Sequence, residues 1–171
     1  MKCSQQGIGL VEVLVALSLL SIAVLGYSAL QLRAMAATQD ATQNIQAMNL
    51  ARDLAERMRV NRAGFRFYKP VNELTQNCAA PVTESGSTVG FCTAQQMAEY
   101  DYEQVRKKAE QSAMQIAILD CQATTLRRQC IYISWDETTP TNGDGAPNCT
   151  RGAAYVANSK CIIVETYNNV E

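Results

Sequence analysis

The chain has 171 residues, 47% hydrophobic and 18% charged, with 15 basic against 16 acidic side chains and a net charge of −1. It has no histidine, which excludes a histidine general base, a Ser-His-Asp triad and a histidine-liganded metal, and its charge balance excludes a globally basic nucleic-acid binder. Seven cysteines are many for a reduced cytosolic chain, and the number is odd. A mean hydropathy of −0.13 hides an uneven distribution.

The first element is apolar. From Ile8 to Leu30, 17 of 23 positions are hydrophobic and only Glu12 is charged. A helix of that length spans roughly 35 Å at about 1.5 Å per residue, enough to cross a bilayer. The seven residues before it carry Lys2, which predicts a cytoplasmic amino end. No A-x-A cleavage site follows the run, and Cys3 precedes it where a lipoprotein signal would close on cysteine. Glu12 costs a few kcal/mol inside an apolar span unless it snorkels or meets a cation. An amino terminus created at Ile8 would supply that cation, four residues away on the same helix face.

The run Gly7-Ile8-Gly9-Leu10-Val11-Glu12, followed by VLVALSLLSIAVLG, resembles the type IV prepilin signature. The resemblance implies cleavage after Gly7, N-methylation of the new first residue Ile8, and an assembly role for Glu12. Ile8 and Gly9 stand where the family usually has phenylalanine and threonine, positions that vary among minor pilins. The helix without a proline, the following ARDLAERMRVNRAGF and the ISW and VETY segments are most similar to the PilV group of minor pilins.

From Gln31 the pattern becomes amphipathic, with Leu32, Met35, Ile45, Met48, Ala51, Leu54, Ala55 and Met58 at helical spacing. One helix is therefore predicted from Ile8 to Arg62, with Gly64 as its terminator and the Ile45–Met58 stripe inward. Arg52/Glu56 and Asp53/Arg57 are i,i+4 pairs. Arg52, Arg57, Arg59, Arg62, Arg66 and Lys69 form a basic stretch, read first as a solvated face that contacts neighbouring subunits and second as a contact for DNA.

Residues 70–91 read as a loop, and Thr93 with Gln96 as a capping box opening a helix to Ser112, with Met97, Val105 and Ala109 inward. Met114–Asp120, Cys130–Trp135 and Cys161–Tyr167 have strand character. Asp136–Pro147 reads as a loop with Asn-Gly and Asp-Gly turns. The fold class is α+β and pilin-like, a long amino-terminal helix packed against a small antiparallel sheet. The organisation expected is a leader at 1–7, a membrane and filament-core helix at 8–30, its amphipathic continuation at 31–64, and an external disulfide-containing domain at 65–171.

Removing the leader removes Cys3 and leaves six cysteines, with 15 connectivities open. The expected pairing is sequential, Cys78–Cys92, Cys121–Cys130 and Cys149–Cys161, with Cys121 and Cys130 facing each other across a hairpin. Pairing of Cys130 with Cys161 or Cys149 is the alternative. No cofactor, metal site or small-molecule substrate is expected: there is no C-x-x-C, no phosphate loop, and Asp136, Glu137 and Asp144 lack EF-hand spacing. Asn148-Cys149-Thr150 is a formal glycosylation sequon only, and Trp135 is read as core or interface packing.

The resemblance implies a structural subunit and no enzyme: a minor pilin of the type IV pilus, or fimbrium, that supports assembly and initiation and thereby twitching motility, adhesion or DNA uptake. Implied partners are other minor pilins, the major pilin, the prepilin peptidase and the inner-membrane assembly platform. The protein would sit in the inner membrane with its domain periplasmic, then in the pilus at the cell surface. A minor pseudopilin of type II secretion and a single-pass membrane protein with a ligand-binding external domain are the rival readings.

Overall fold

The structure, a computed structural model, describes residues 9–74, 77–79, 82–84, 87–89, 91–122 and 128–166. The chain divides into two units, Met1–Thr42 and Gln43–Glu171.

Helix α1 runs from Leu10 to Val60, 51 residues without a proline. In the first unit its side chains are exposed, apolar residues included. The hydroxyls of Ser18, Ser21 and Ser28 donate to the carbonyl oxygens of Leu14, Leu17 and Val24 at 2.9, 2.8 and 2.9 Å. The helix thus satisfies these serine hydroxyls internally, a condition for carrying them into lipid.

In the second unit the buried face of α1 is Ala47, Ala51, Leu54 and Met58, at spacings of four, three and four. This corrects the expected stripe at its start, since Ile45 is 62% exposed and Ala47 takes the inward position. The helix also stops at Val60, short of Arg62. Asn61 then caps a 3-10 turn, Arg62–Phe67, accepting from Gly64 N. Gly64 is therefore not a helix terminator. A Cβ there would overlap the Ala94 carbonyl oxygen, so the glycine permits close approach between the 3-10 turn and the start of the next helix.

Strands β1 (Val82–Glu84) and β2 (Ser87–Val89) pair antiparallel within the stretch read as a loop. Helix α2 spans Ala94–Gln111. Its capping box is complete: Thr93 Oγ1 accepts from Gln96 N at 3.2 Å, and Gln96 Oε1 accepts from Thr93 N at 2.9 Å. Val105 and Ala109 are buried and Met97 half-buried.

Strands β3 (Met114–Asp120), β4 (Gln129–Trp135) and β8 (Cys161–Thr166) form an antiparallel sheet in the order β3-β4-β8. Alternation assigns its two faces. Met114, Ile116, Ile131, Ile133 and Trp135 join the α1 and α2 residues in one core, with Ile118, Ile162 and Val164 packed against it. Cys130, Tyr132, Cys149 and Cys161 make a second cluster on the opposite face. Strands β5 (Thr139–Asn142), β6 (Asn148–Arg151) and β7 (Ala154–Tyr155) form the layer that contributes Cys149 to it. Strand β4 is consequently buried on both faces, which the alternating residues QCIYISW do not announce.

The β5–β6 pair corrects the expected loop at 136–147. Thr139 N donates to Pro147 O at 2.7 Å and Gly143 N to Thr150 O at 2.8 Å, drawing a Thr-rich stretch into a parallel ladder around the two glycine turns.

Candidate assembly site

The apolar end of α1 is the candidate site. The helix opens at Gly9, whose carbonyl accepts from Glu12 N at 2.9 Å and Val13 N at 3.4 Å. Glu12 therefore lies in the first turn, where an anion is favoured by the helix dipole by about 0.3–1 kcal/mol. Its carboxylate is exposed and, among the described residues, takes part in no hydrogen bond or ion pair. Around it Leu10, Val11, Val13, Leu14 and Val15 are all exposed. The helix holds an 18-residue window long and apolar enough to cross a membrane, and none of that window is buried. Gly7, Ile8 and Cys3 lie outside the described residues.

The second unit is held by charge and by sulfur. The Arg57 guanidinium donates from Nε to Asp53 Oδ1 at 2.7 Å and from Nη1 to Asp101 Oδ1 at 2.5 Å, tying α1 to α2. Tyr68 OH donates to Asp101 Oδ2 at 3.3 Å, and Lys108 Nζ lies 3.1 Å from Asp53 Oδ2. Partial burial pushes the Asp53 carboxyl up. The hydrogen bonds and charges of Arg57 and Lys108 outweigh it and hold that carboxyl below its ordinary value. Burial, with the Asp101 charge, pushes the Tyr68 phenol upward. Burial and then the Glu103 charge raise Tyr102 to about 12, and its OH donates to Ile116 O at 3.2 Å.

Of the two expected i,i+4 pairs, Asp53/Arg57 forms, whereas Glu56 pairs with Arg59 at 2.7 Å in place of Arg52. The buried carboxylates Glu99, Asp101 and Glu103 were missed in the sequence. The available signal was the closely spaced run Glu99, Asp101 and Glu103 in α2, ahead of its cations Arg106, Lys107 and Lys108.

Disulfides join Cys78–Cys92, Cys121–Cys130 and Cys149–Cys161, with Cα separations of 5.8, 5.0 and 5.9 Å. Cys121 does not face Cys130: the register places Leu119 opposite Cys130, and Cys121 N bonds Arg128 O at 2.9 Å. The bond is therefore a diagonal between same-face positions, within side-chain reach. Asn148 of the sequon donates to Gly145 O and accepts from Thr141, while Thr150 is buried. Trp135 is buried in the core. Among the described residues no group of acidic or cysteine side chains could hold a metal ion.

A model of the prokaryotic N-terminal methylation motif matches residues 2–28, and a model of the Tt1218-like family, type IV pilin Tt1218, matches residues 29–103. No curated protein and no solved structure matches the chain significantly. The two models adjoin, and with the fold they place this chain in the type IV pilin-like family. Its role is that of a membrane-anchored pilin or pseudopilin, a structural family processed by prepilin peptidase and assembled with partner subunits.

Proposed function

We propose that the protein is a PilV-like minor pilin, cleaved after Gly7, N-methylated at Ile8, and built into a type IV pilus through Glu12. The observation that carries this reading is the unpartnered Glu12 carboxylate on a helix whose apolar window is wholly exposed. A buried cation is required to offset such a carboxylate in a packed bundle. The methylated amino terminus of a neighbouring subunit is a cation at the right depth. Before assembly the protein resides in the inner membrane with the amino end cytoplasmic and the domain periplasmic. Its partners are then other minor pilins, the major pilin and the assembly platform. The outcome served is pilus initiation and, through it, twitching motility, adhesion or DNA uptake. A domain with three disulfides favours the pilus over a pseudopilus, since it is larger and more heavily cross-linked than a minimal subunit needs.

Mass spectrometry of the mature protein should give a chain starting at Ile8 with one added methyl group; a start at Met1 in cells containing the peptidase overturns the assignment. Glu12→Ala should leave cleavage and membrane insertion intact while lowering recovery in sheared pili at least tenfold. Undiminished recovery would leave the carboxylate no assembly role.

A further inference from the structure

We propose that the 3-10 turn after α1 is a cationic ledge that docks the phosphate backbone of a nucleic acid, through Arg62, Arg66 and Lys69. The structure separates the six cations of the basic stretch: Arg52 is exposed on α1, ten residues before Arg62, and Glu56 pairs with Arg59 and not with it. Arg57 and Arg59 are neutralised by Asp53, Asp101 and Glu56. Elsewhere in the domain Arg106, Lys108, Arg128 and Arg151 also have carboxylate partners. Arg62, Arg66 and Lys69 are exposed and, among the described residues, form no ion pair or hydrogen bond. The nearest acidic residues along the chain are Glu56, already paired with Arg59, and Glu73, four residues past Lys69.

One short segment carries all three: Arg62 and Arg66 lie in the 3-10 turn and Lys69 two residues past its end. The turn buries Gly64 and Tyr68 and half-buries Phe65 and Phe67, which leaves positions 62, 63, 66, 69 and 70 outward. Residues three apart eclipse in a 3-10 turn, so Arg66 stands above Ala63 and Arg62 lies about a third of a turn from it, with Lys69 following past the end of the turn. The backbone is fixed from both ends: Asn61 Nδ2 donates to Ala94 O at 2.7 Å, Tyr68 OH to Asp101, and Val71 N to Glu103 Oε1 at 3.4 Å. The ledge is thus preorganised.

The chemistry of the ledge selects its occupant. A protein partner needs a desolvated, charge-poor centre with a large apolar anchor. The uncharged outward residues of the turn and its exit are Ala63, Pro70 and Asn72, and the exposed apolar side chain beside them is Val60, an aliphatic group with no aromatic neighbour in the turn's outward face. A phosphate backbone requires no such centre, because counterion release supplies the binding and guanidinium groups match phosphate oxygens. The inference deepens the uptake branch of the proposed function.

The test uses the full chain in detergent, unassembled, with a fluorescent 20-base-pair duplex and increasing salt. Three contacts predict a slope of log K against log salt of about −2.7, or roughly fortyfold weaker binding between 50 and 200 mM salt. Arg62→Gln/Arg66→Gln/Lys69→Gln should bring that slope near zero and weaken binding at least tenfold, while Arg62→Lys/Arg66→Lys retains the slope. Glu12→Ala should bind as the parent chain does, which separates this test from that of assembly. A slope unchanged in the glutamine variant, or no binding at 50 mM salt, overturns the proposal. Equal competition by polyglutamate and by DNA also overturns it, in favour of an acidic protein partner.

Discussion

Two side chains with opposite needs decide how the domain is locked. Gly64 has no need of a positive φ; it is required because the Ala94 carbonyl oxygen occupies the space of a Cβ. Backbone atoms yield less than side chains, so Gly64→Ala should destabilise the folded domain by about 1–3 kcal/mol, measured as a lower thermal midpoint. Gly26→Ala, whose Cβ meets no atom within 4 Å, should leave that midpoint unchanged. Asp53 has the opposite need, for neighbours. Its carboxyl is held below its ordinary value of 3.8 by Arg57 and Lys108 against the pull of burial. The unfolded chain therefore binds a proton there first. Stability from Asp53 is complete above its unfolded value and is lost as pH falls through the lower folded value. Asp53→Asn should flatten the acid limb of the stability profile below about pH 4, read by urea denaturation at stepped pH.

At the scale of elements, periodicity defined what could be read. The spacing of Ala51, Leu54 and Met58 gave the inner face of α1, and Thr93 with Gln96 gave the start of α2 to the residue. Thr93→Ala removes the cap from Gln96 N and should cost about 1 kcal/mol, while Gln96→Ala costs less because the hydroxyl bond remains. Chemical denaturation of both variants measures the order. The end of α1 was less legible. Gly64 has the signature of a terminator, yet the helix stops where Asn61 can cap a 3-10 turn and reach Ala94, a partner 33 positions on. Local chemistry cannot foresee a bond of that range. Strand β5 was hidden for a related reason: its Thr-Pro-Thr-Asn run reads as a loop until β6 supplies the ladder.

The whole molecule adds a layer to the expected helix-on-sheet plan. One face of the β3-β4-β8 sheet packs in the core with α1 and α2, and the other forms the Cys130, Tyr132, Cys149 and Cys161 cluster. Cys149–Cys161 joins β6 to β8, so it fastens the outer layer to the sheet. Replacing both cysteines by serine should cost about 2–4 kcal/mol. It should also raise amide hydrogen exchange across 139–156 while β3 and β4 keep their protection. The Cys78–Cys92 pair closes the segment ahead of α2, and its double serine variant should leave exchange in 139–156 unchanged.

The sequence by itself determined the membrane-compatible helix, its lone carboxylate, the helix periods and the positions of β3, β4 and β8, because each is a matter of neighbours along the chain. Type IV pilin character was legible for the same reason, carried by Gly7, Ile8 and Glu12 within six residues. Only the tertiary structure decided which helix face is buried at residue 45 or 47, which carboxylates neutralise Arg57, and which cysteines meet. It also decided which cations remain without partners. Those outcomes depend on groups tens of residues apart, and on whether burial or solvent surrounds them once the chain has closed. The alternating strand β4 makes the difference plain: its pattern requires one dry face, and the cysteine cluster supplies the second.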